Sequence, residues 1–243
     1  MHKALKEAKE LLEDPRNFQH ILNQEKIHLD SAPTNDKEFD RLGYKIVRNM
    51  CDPKLMITPV PKLRGTMEYD PKTIDDTKYH HDDNEQVEGS IARYYHPFHR
   101  KAFTIVKKTI EDALNEKLYK TYYYDRFYFA GQDLPFHSDR AACEISVTIH
   151  CSTNLNEKWP IYIKSREGNI VGVDLNPGDG MIYKGVERPH WRLPMPGVKR
   201  NKIRKILGMD ELYYHQVFFH FVLANGMRSY YQGDPVASKH SWG

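Results

Sequence analysis

The chain has 243 residues, with 36 Lys and Arg against 33 Asp and Glu for a formal net charge of +3. Its 40% hydrophobic and 12% aromatic residues exclude a wholly disordered chain, and so small an excess of cations gives no argument for nucleic acid. The length fits one large β-rich domain with an extension, expected as a helical N-terminal segment 1–42, a main domain 43–230 and a tail 231–243.

No stretch reaches about 18 apolar residues, and the N-terminus lacks the apolar core of a signal peptide. A cytoplasmic protein without membrane contact is expected. Cys51, Cys143 and Cys151 stand far apart with no C-x-x-C, which predicts buried thiols in a reducing compartment and neither a disulfide framework nor a cysteine zinc site.

Leu5, Ala8, Leu11 and Leu12 form the stripe of an amphipathic helix stopping at Asp14-Pro15. Gly43 to Asn49 alternates like a strand, and Asp52-Pro53-Lys54-Leu55 signals a helix start. Repeated Pro, Asp and Thr from Pro59 to Gly89 predict a long loop. Within it His80 and His81 read as solvated rather than metal-binding, because adjacent side chains diverge. Phe98, Ala102, Ile105, Val106, Ile110, Ala113 and Leu114 have helical spacing and predict a long helix over Pro97 to Leu118.

Beyond that helix the period becomes two. Strands are expected at 122–129, 142–150, 160–164, 170–175, 180–183 and 214–223, separated by turn residues. No internal repeat is visible, and many strands after a helical lead-in predict a double-sheet jelly roll with helices packed on one side.

His137 and Asp139 lie two apart between two expected strands, so in extended backbone an imidazole and a carboxylate point to one face and can share a metal. An H-x-D alone is weak and needs a third ligand. After the Pro177-Gly178-Asp179 turn and the strand at 180–183 comes His190, 190 − 137 = 53 residues past the first histidine, a separation that lets the chain return across a jelly roll. Two histidines and one carboxylate on one side of a metal match non-heme Fe(II) oxygenases. Tetrahedral zinc with the same ligands is the other reading, though no H-E-x-x-H helix accompanies it.

With these residues in view, the sequence resembles the 2-oxoglutarate/Fe(II)-dependent dioxygenases, and among them the prolyl-hydroxylase-like branch. The likeness runs from Gly43 to Gly226 and is closest after Tyr122: Asp125-Arg126-Phe127-Tyr128, His137-Ser138-Asp139-Arg140, Cys143 to Ile149, Trp159-Pro160-Ile161, Pro177-Gly178-Asp179 and His190-Trp191-Arg192. It implies a mainly β chain with flanking helices, folded as a double-stranded β-helix (jelly roll, cupin-like). It also implies Fe(II) held by His137, Asp139 and His190 as the catalytic metal ligands, with 2-oxoglutarate and O2 as cosubstrates. The implied reaction hydroxylates a small molecule or a peptidyl side chain, proline among the candidates, with release of succinate and CO2.

Such enzymes clamp the far carboxylate of 2-oxoglutarate with a cation soon after the distal histidine. Here Lys199 to Leu212 intervenes, and the next strand opens Tyr213-Tyr214-His215-Gln216 with no cation. Arg192, sharing the face of His190, is the first substitute, and Arg126 the second, with Tyr128 on its face as hydroxyl donor. The competing reading pairs these arginines with Asp179, Glu187 or Asp125 and makes Tyr128 a core aromatic. Gln216 and His220 share parity and are expected to contact cosubstrate or substrate, with plain strand packing as the alternative. His215 and His220 are also alternatives to His190 as third ligand, and Arg140 reads equally as a substrate contact or a surface ion pair. Lys199, Arg200, Lys202, Arg204 and Lys205 put five cations in seven residues, expected as a mobile charged loop, with a lid or acidic-partner site as the other reading.

Two further functions compete. A non-catalytic jelly-roll binding module is favoured by the missing cation, and a nucleic-acid demethylase-type dioxygenase would use the basic insertion to track phosphates.

Overall fold

The computed structural model describes residues 32–69, 77–80 and 86–233. The helix expected before Asp14, His81 and the segment 234–243 lie outside them.

Asp36 starts the first helix, α1 (Lys37–Leu42), by accepting from the backbone N–H groups of Glu38 and Phe39 at 3.0 Å. Gly43 ends it in the left-handed region at φ 80°, where a side chain would be strained. Phe39 drops into the main core. β1 (Tyr44–Val47) follows, and the expected helix start at Asp52-Pro53 is a single 3-10 turn, Pro53–Leu55.

The stretch expected to be a long loop carries two strands instead, β2 (Gly65–Tyr69) and β3 (Thr77–His80), paired antiparallel. β2 also pairs in parallel with β4 (Ile91–Tyr94). On β2, Met67 joins Ile91, Phe127 and Phe129 in a buried cluster with Tyr69 half-buried against it, too short an alternation for a period of two to register.

The helix predicted over Pro97 to Leu118 is shorter. Pro97–His99 is a 3-10 turn, α2 spans Arg100–Leu114, and Asn115 in the left-handed region at φ 51° stops it. Ala102, Val106, Ile110 and Leu114 of the predicted stripe are buried, joined by Phe103, whereas Phe98 and Ile105 are exposed.

Eight strands then follow: β5 (Leu118–Phe129), β6 (Leu134–His137), β7 (Ile145–Thr153), β8 (Ile161–Lys164), β9 (Ile170–Val173), β10 (Gly180–Tyr183), β11 (His190–Arg192) and β12 (Tyr213–Leu223). They divide between an eight-stranded sheet of order β1-β10-β7-β12-β5-β4-β2-β3 and a four-stranded sheet of order β6-β11-β8-β9. Strands β5, β7, β10 and β12 thus face β6, β8, β9 and β11, the winding of a double-stranded β-helix. β7 starts later than predicted because Ala141–Cys143 forms a 3-10 turn.

Alternation along β5 sorts its side chains. Tyr122, Tyr124, Arg126 and Tyr128 line the space between the sheets, with Tyr128 edge-on to Trp159 at 5.1 Å. Tyr123, Asp125 and Phe127 face outward, Tyr123 against Phe103 of α2. The Pro177-Gly178-Asp179 turn is fixed by Asp179, whose carboxylate accepts from Asn49 N at 3.0 Å, Arg48 at 2.7 Å and Asn176 N at 3.0 Å.

The insertion expected to be a mobile charged loop is in fact a helix, α3 (Val198–Ile206). Asn201 anchors it, accepting from Leu212 N at 2.7 Å, and Lys205 pairs with Glu211 at 2.9 Å. No helix among the described residues is long and apolar enough to cross a membrane.

Candidate metal centre and barrel interior

β6 and β11 lie side by side with His137 opposite His190, so the two imidazoles leave neighbouring strands on one face. Their ring centroids are 4.3 Å apart. Asp139, just beyond β6, places Oδ1 at 3.6 Å from His137 Nε2 and 3.7 Å from His190 Nε2. The three candidate ligand atoms form one cluster within 4.8 Å.

Hydrogen bonds prepare each group to ligate. His137 Nδ1 lies 2.8 Å from the Pro135 carbonyl and His190 Nδ1 lies 3.0 Å from that of Arg188. A carbonyl only accepts, so both rings donate through Nδ1, which leaves Nε2 as the nitrogen that faces Asp139. Burial, helped by the neighbouring His137, pushes the His190 pKa down to about 4. Burial opposes ionisation of Asp139, but the facing His190 and His137 outweigh it and hold its pKa well below the usual carboxylate range. At neutral pH the cluster is therefore a carboxylate with a neutral His190, the protonation a divalent metal needs.

The other oxygen, Asp139 Oδ2, accepts from Ser146 Oγ at 2.8 Å. Asp139 N donates to the Gly185 carbonyl at 2.9 Å. A Cβ on Gly185 would stand 2.5 Å from the Cys143 carbonyl oxygen and 2.6 Å from Ser146 Oγ, so only glycine lets these segments close around the carboxylate.

Both candidate arginines are buried between the sheets. Arg192 shares the face of His190, its guanidinium 4.4 Å from the Trp159 ring and 4.8 Å from that of Tyr214, and it donates to the Trp159 carbonyl. Arg126 on β5 sits opposite Gln216 of β12, its guanidinium over Tyr124 and Tyr128, and donates to Gln86 at 2.8 Å. Among the described residues neither faces a carboxylate. The expected competitors are taken elsewhere, Asp179 by Arg48, Glu187 by Arg188 and Asp125 by Arg93. The Nε atoms of both arginines, Tyr128 Oη and Gln216 Oε1 are buried without a well-formed hydrogen bond.

Gln216 and His220 both turn inward. Gln216 donates to Thr148 at 2.6 Å, and His220 Nδ1 lies 2.9 Å from Ser146 Oγ. His215 faces the other way, 2.8 Å from Asp125 Oδ2, which removes it as an alternative ligand. Arg140 lies over the Tyr122 ring at 4.6 Å.

No protein-family model matches the sequence, and no curated protein matches it significantly. Among solved structures, a prolyl hydroxylase from Trichoplax adhaerens, in complex with a hypoxia inducible factor oxygen degradation domain peptide fragment, aligns over 86% of this chain and 95% of its own. The identity is 10% and the TM-score 0.50. A Pseudomonas putida prolyl-4-hydroxylase aligns over 75% of this chain and 95% of its own at 12% identity and a TM-score of 0.45. HygX from Streptomyces hygroscopicus, with nickel, 2-oxoglutarate and hygromycin B bound, aligns over 77% and 86% at 10% identity and a TM-score of 0.49. The chain shares the double-stranded β-helix fold of that Trichoplax prolyl hydroxylase.

Within this double-stranded β-helix the polar wall of β7 is what sequence reasoning missed. Ser146, Thr148 and His150 alternate with Ile145, Val147 and Ile149 in a strand buried on both faces. A polar parity inside a fully buried strand marks an interior polar face, and that signal was present in the sequence.

Proposed function

We propose that the protein is an Fe(II)- and 2-oxoglutarate-dependent dioxygenase that hydroxylates a small molecule or a peptidyl side chain, proline among the candidates, in the cytoplasm. The observation that carries this reading is the pairing of a His-Asp-His cluster with two buried guanidiniums that no described carboxylate neutralises. A lone buried charge costs several kcal/mol, and a metal with a bound dicarboxylate would supply the missing anions.

In this reading His137 Nε2, His190 Nε2 and Asp139 Oδ1 hold the metal. Bound Fe(II) supplies the O2 activation that decarboxylates 2-oxoglutarate to succinate and CO2 and places the other oxygen atom on the substrate. Arg192, stiffened between Trp159 and Tyr214, takes the far carboxylate through its charge. Tyr128, Arg126, Gln216 and His220 line the same interior. Against the non-catalytic module stand the two buried cations inside the barrel, neither of them on β12.

The test is succinate formation by anaerobically Fe(II)-loaded protein given 2-oxoglutarate and then O2, with 2-oxoglutarate binding measured separately. Turnover is expected in the wild type and its loss in Asp139→Ala. Arg192→Ala removes charged hydrogen bonds of about 1.5–3 kcal/mol, so 2-oxoglutarate binding weakens by about tenfold to a hundredfold. Loss confined to Arg126→Ala moves the clamp to β5, and a wild type that binds no 2-oxoglutarate sinks the oxygenase reading.

A further inference from the structure

Ser146 Oγ is completely buried and lies 2.8 Å from Asp139 Oδ2, 2.9 Å from His220 Nδ1 and 3.2 Å from the Cys143 carbonyl, with the Tyr183 hydroxyl also beside it. A serine hydroxyl carries one proton. The carboxylate is the nearer and the charged acceptor, so the proton goes to Asp139 Oδ2. His220 Nδ1 then faces only lone pairs of Ser146 and must carry its own proton. The direction of the chain is thereby fixed: His220 Nδ1–H donates to Ser146, and Ser146 O–H donates to Asp139. His220 is held for this task by stacking on Tyr122, ring centroids 4.4 Å apart.

We propose that Ser146 and His220 are positioning residues that tie down Asp139 Oδ2, so that the aspartate offers a metal one oxygen and not two. This rests on the metal-binding reading above. Two imidazoles and one carboxylate oxygen leave half of an octahedron open. A second carboxylate oxygen would leave too few positions for a chelating 2-oxo acid and a further reactant. The lock is reinforced from both sides, by the Asp139 N–H to the Gly185 carbonyl and by the absence of a side chain at Gly185. Nothing else among the described residues donates to Oδ2.

The test uses Co(II) as the metal probe, titrated into the metal-free full chain and followed by visible absorption, with melting of each metal-free variant as the fold control. Ser146→Ala is expected to weaken Co(II) binding by about 10–100-fold and to change the Co(II) band, because the freed oxygen can join the metal. His220→Leu acts in the same direction. His220→Asn, whose amide N–H stands in for Nδ1–H, restores most of the lost affinity. Should Ser146→Ala fail to fold, the His220 pair carries the test alone. Wild-type Co(II) affinity and band in folded Ser146→Ala overturn the inference, as does a folded His220→Asn no better than His220→Leu. A folded wild type that binds no Co(II) instead overturns the metal reading itself, and the positioning role with it.

Discussion

Asp125 is a fully buried anion between strands and helix. It accepts from Arg93 Nε at 3.0 Å, from a second Arg93 nitrogen, and from His99 and His215 Nε2 at 3.0 and 2.8 Å. Burial opposes its charge, but Arg93 and His99 outweigh it and hold the carboxyl well below its usual range. The three side chains meet at ligand-like distances, yet the Arg93 guanidinium already supplies the countercharge, and the cluster ties β4, β5, β12 and the turn before α2 together. Asp125→Ala leaves Arg93 buried and unpaired, so a loss of about 3–5 kcal/mol is expected, read as a lower urea midpoint. A loss under about 1 kcal/mol, the value of an exposed pair, would show the network to be incidental. Single residues were unevenly legible in the sequence. His137, Asp139 and His190 stood out because parity and turn chemistry are local. Ser146, which touches Asp139, and the Arg93 cluster did not, because their partners are 7 to 90 residues away.

Among the elements, β-strands with both faces buried were the most readable, since long apolar runs with alternating exceptions survive in any context. The short strands β2 and β3 at one end of the larger sheet were not, and α3 was hidden by its charges. Arg200 pairs with Glu157, Lys205 with Glu211, and Arg204 donates to the Asp210 carbonyl, partners that the local sequence pattern does not weigh. Asn201 bonds this helix to the start of β12. Asn201→Ala removes a buried hydrogen bond worth about 1 kcal/mol, so tryptic cleavage within 199–205 should speed up about fivefold while cleavage elsewhere does not change. An unchanged rate at these sites would mean that the ion pairs alone hold the helix.

The whole molecule buries neutral imidazoles. Burial pushes His150 and His215 from 6.5 down to about 4. Between those values the unfolded chain binds protons that the folded chain refuses, so unfolding is favoured as pH falls from 6.5 toward 4 and stability rises again with pH. Each fully buried ring contributes a slope of up to about 1.4 kcal/mol per pH unit. Denaturant midpoints at pH 7, 6 and 5 should fall in that order, steepening below 6.5; a flat series from 7 to 5 would mean that these rings are not held neutral. Architecture at this scale followed from strand number and turn spacing, whereas the placing of two cations inside the barrel required both sheets.

Asp125 and Arg126 are consecutive and face opposite ways, one toward the helix layer and one toward the barrel. Inserting one residue upstream of them in β5 would exchange their sides, delivering an anion to the interior that holds Asp139 and a guanidinium to the pocket of His99 and His215. The reading frame of this strand is thus as constrained as its composition. Length can vary only where no such alternation is at stake, in turns such as 130–133 and in the 193–212 connection, where this chain has accommodated a whole helix.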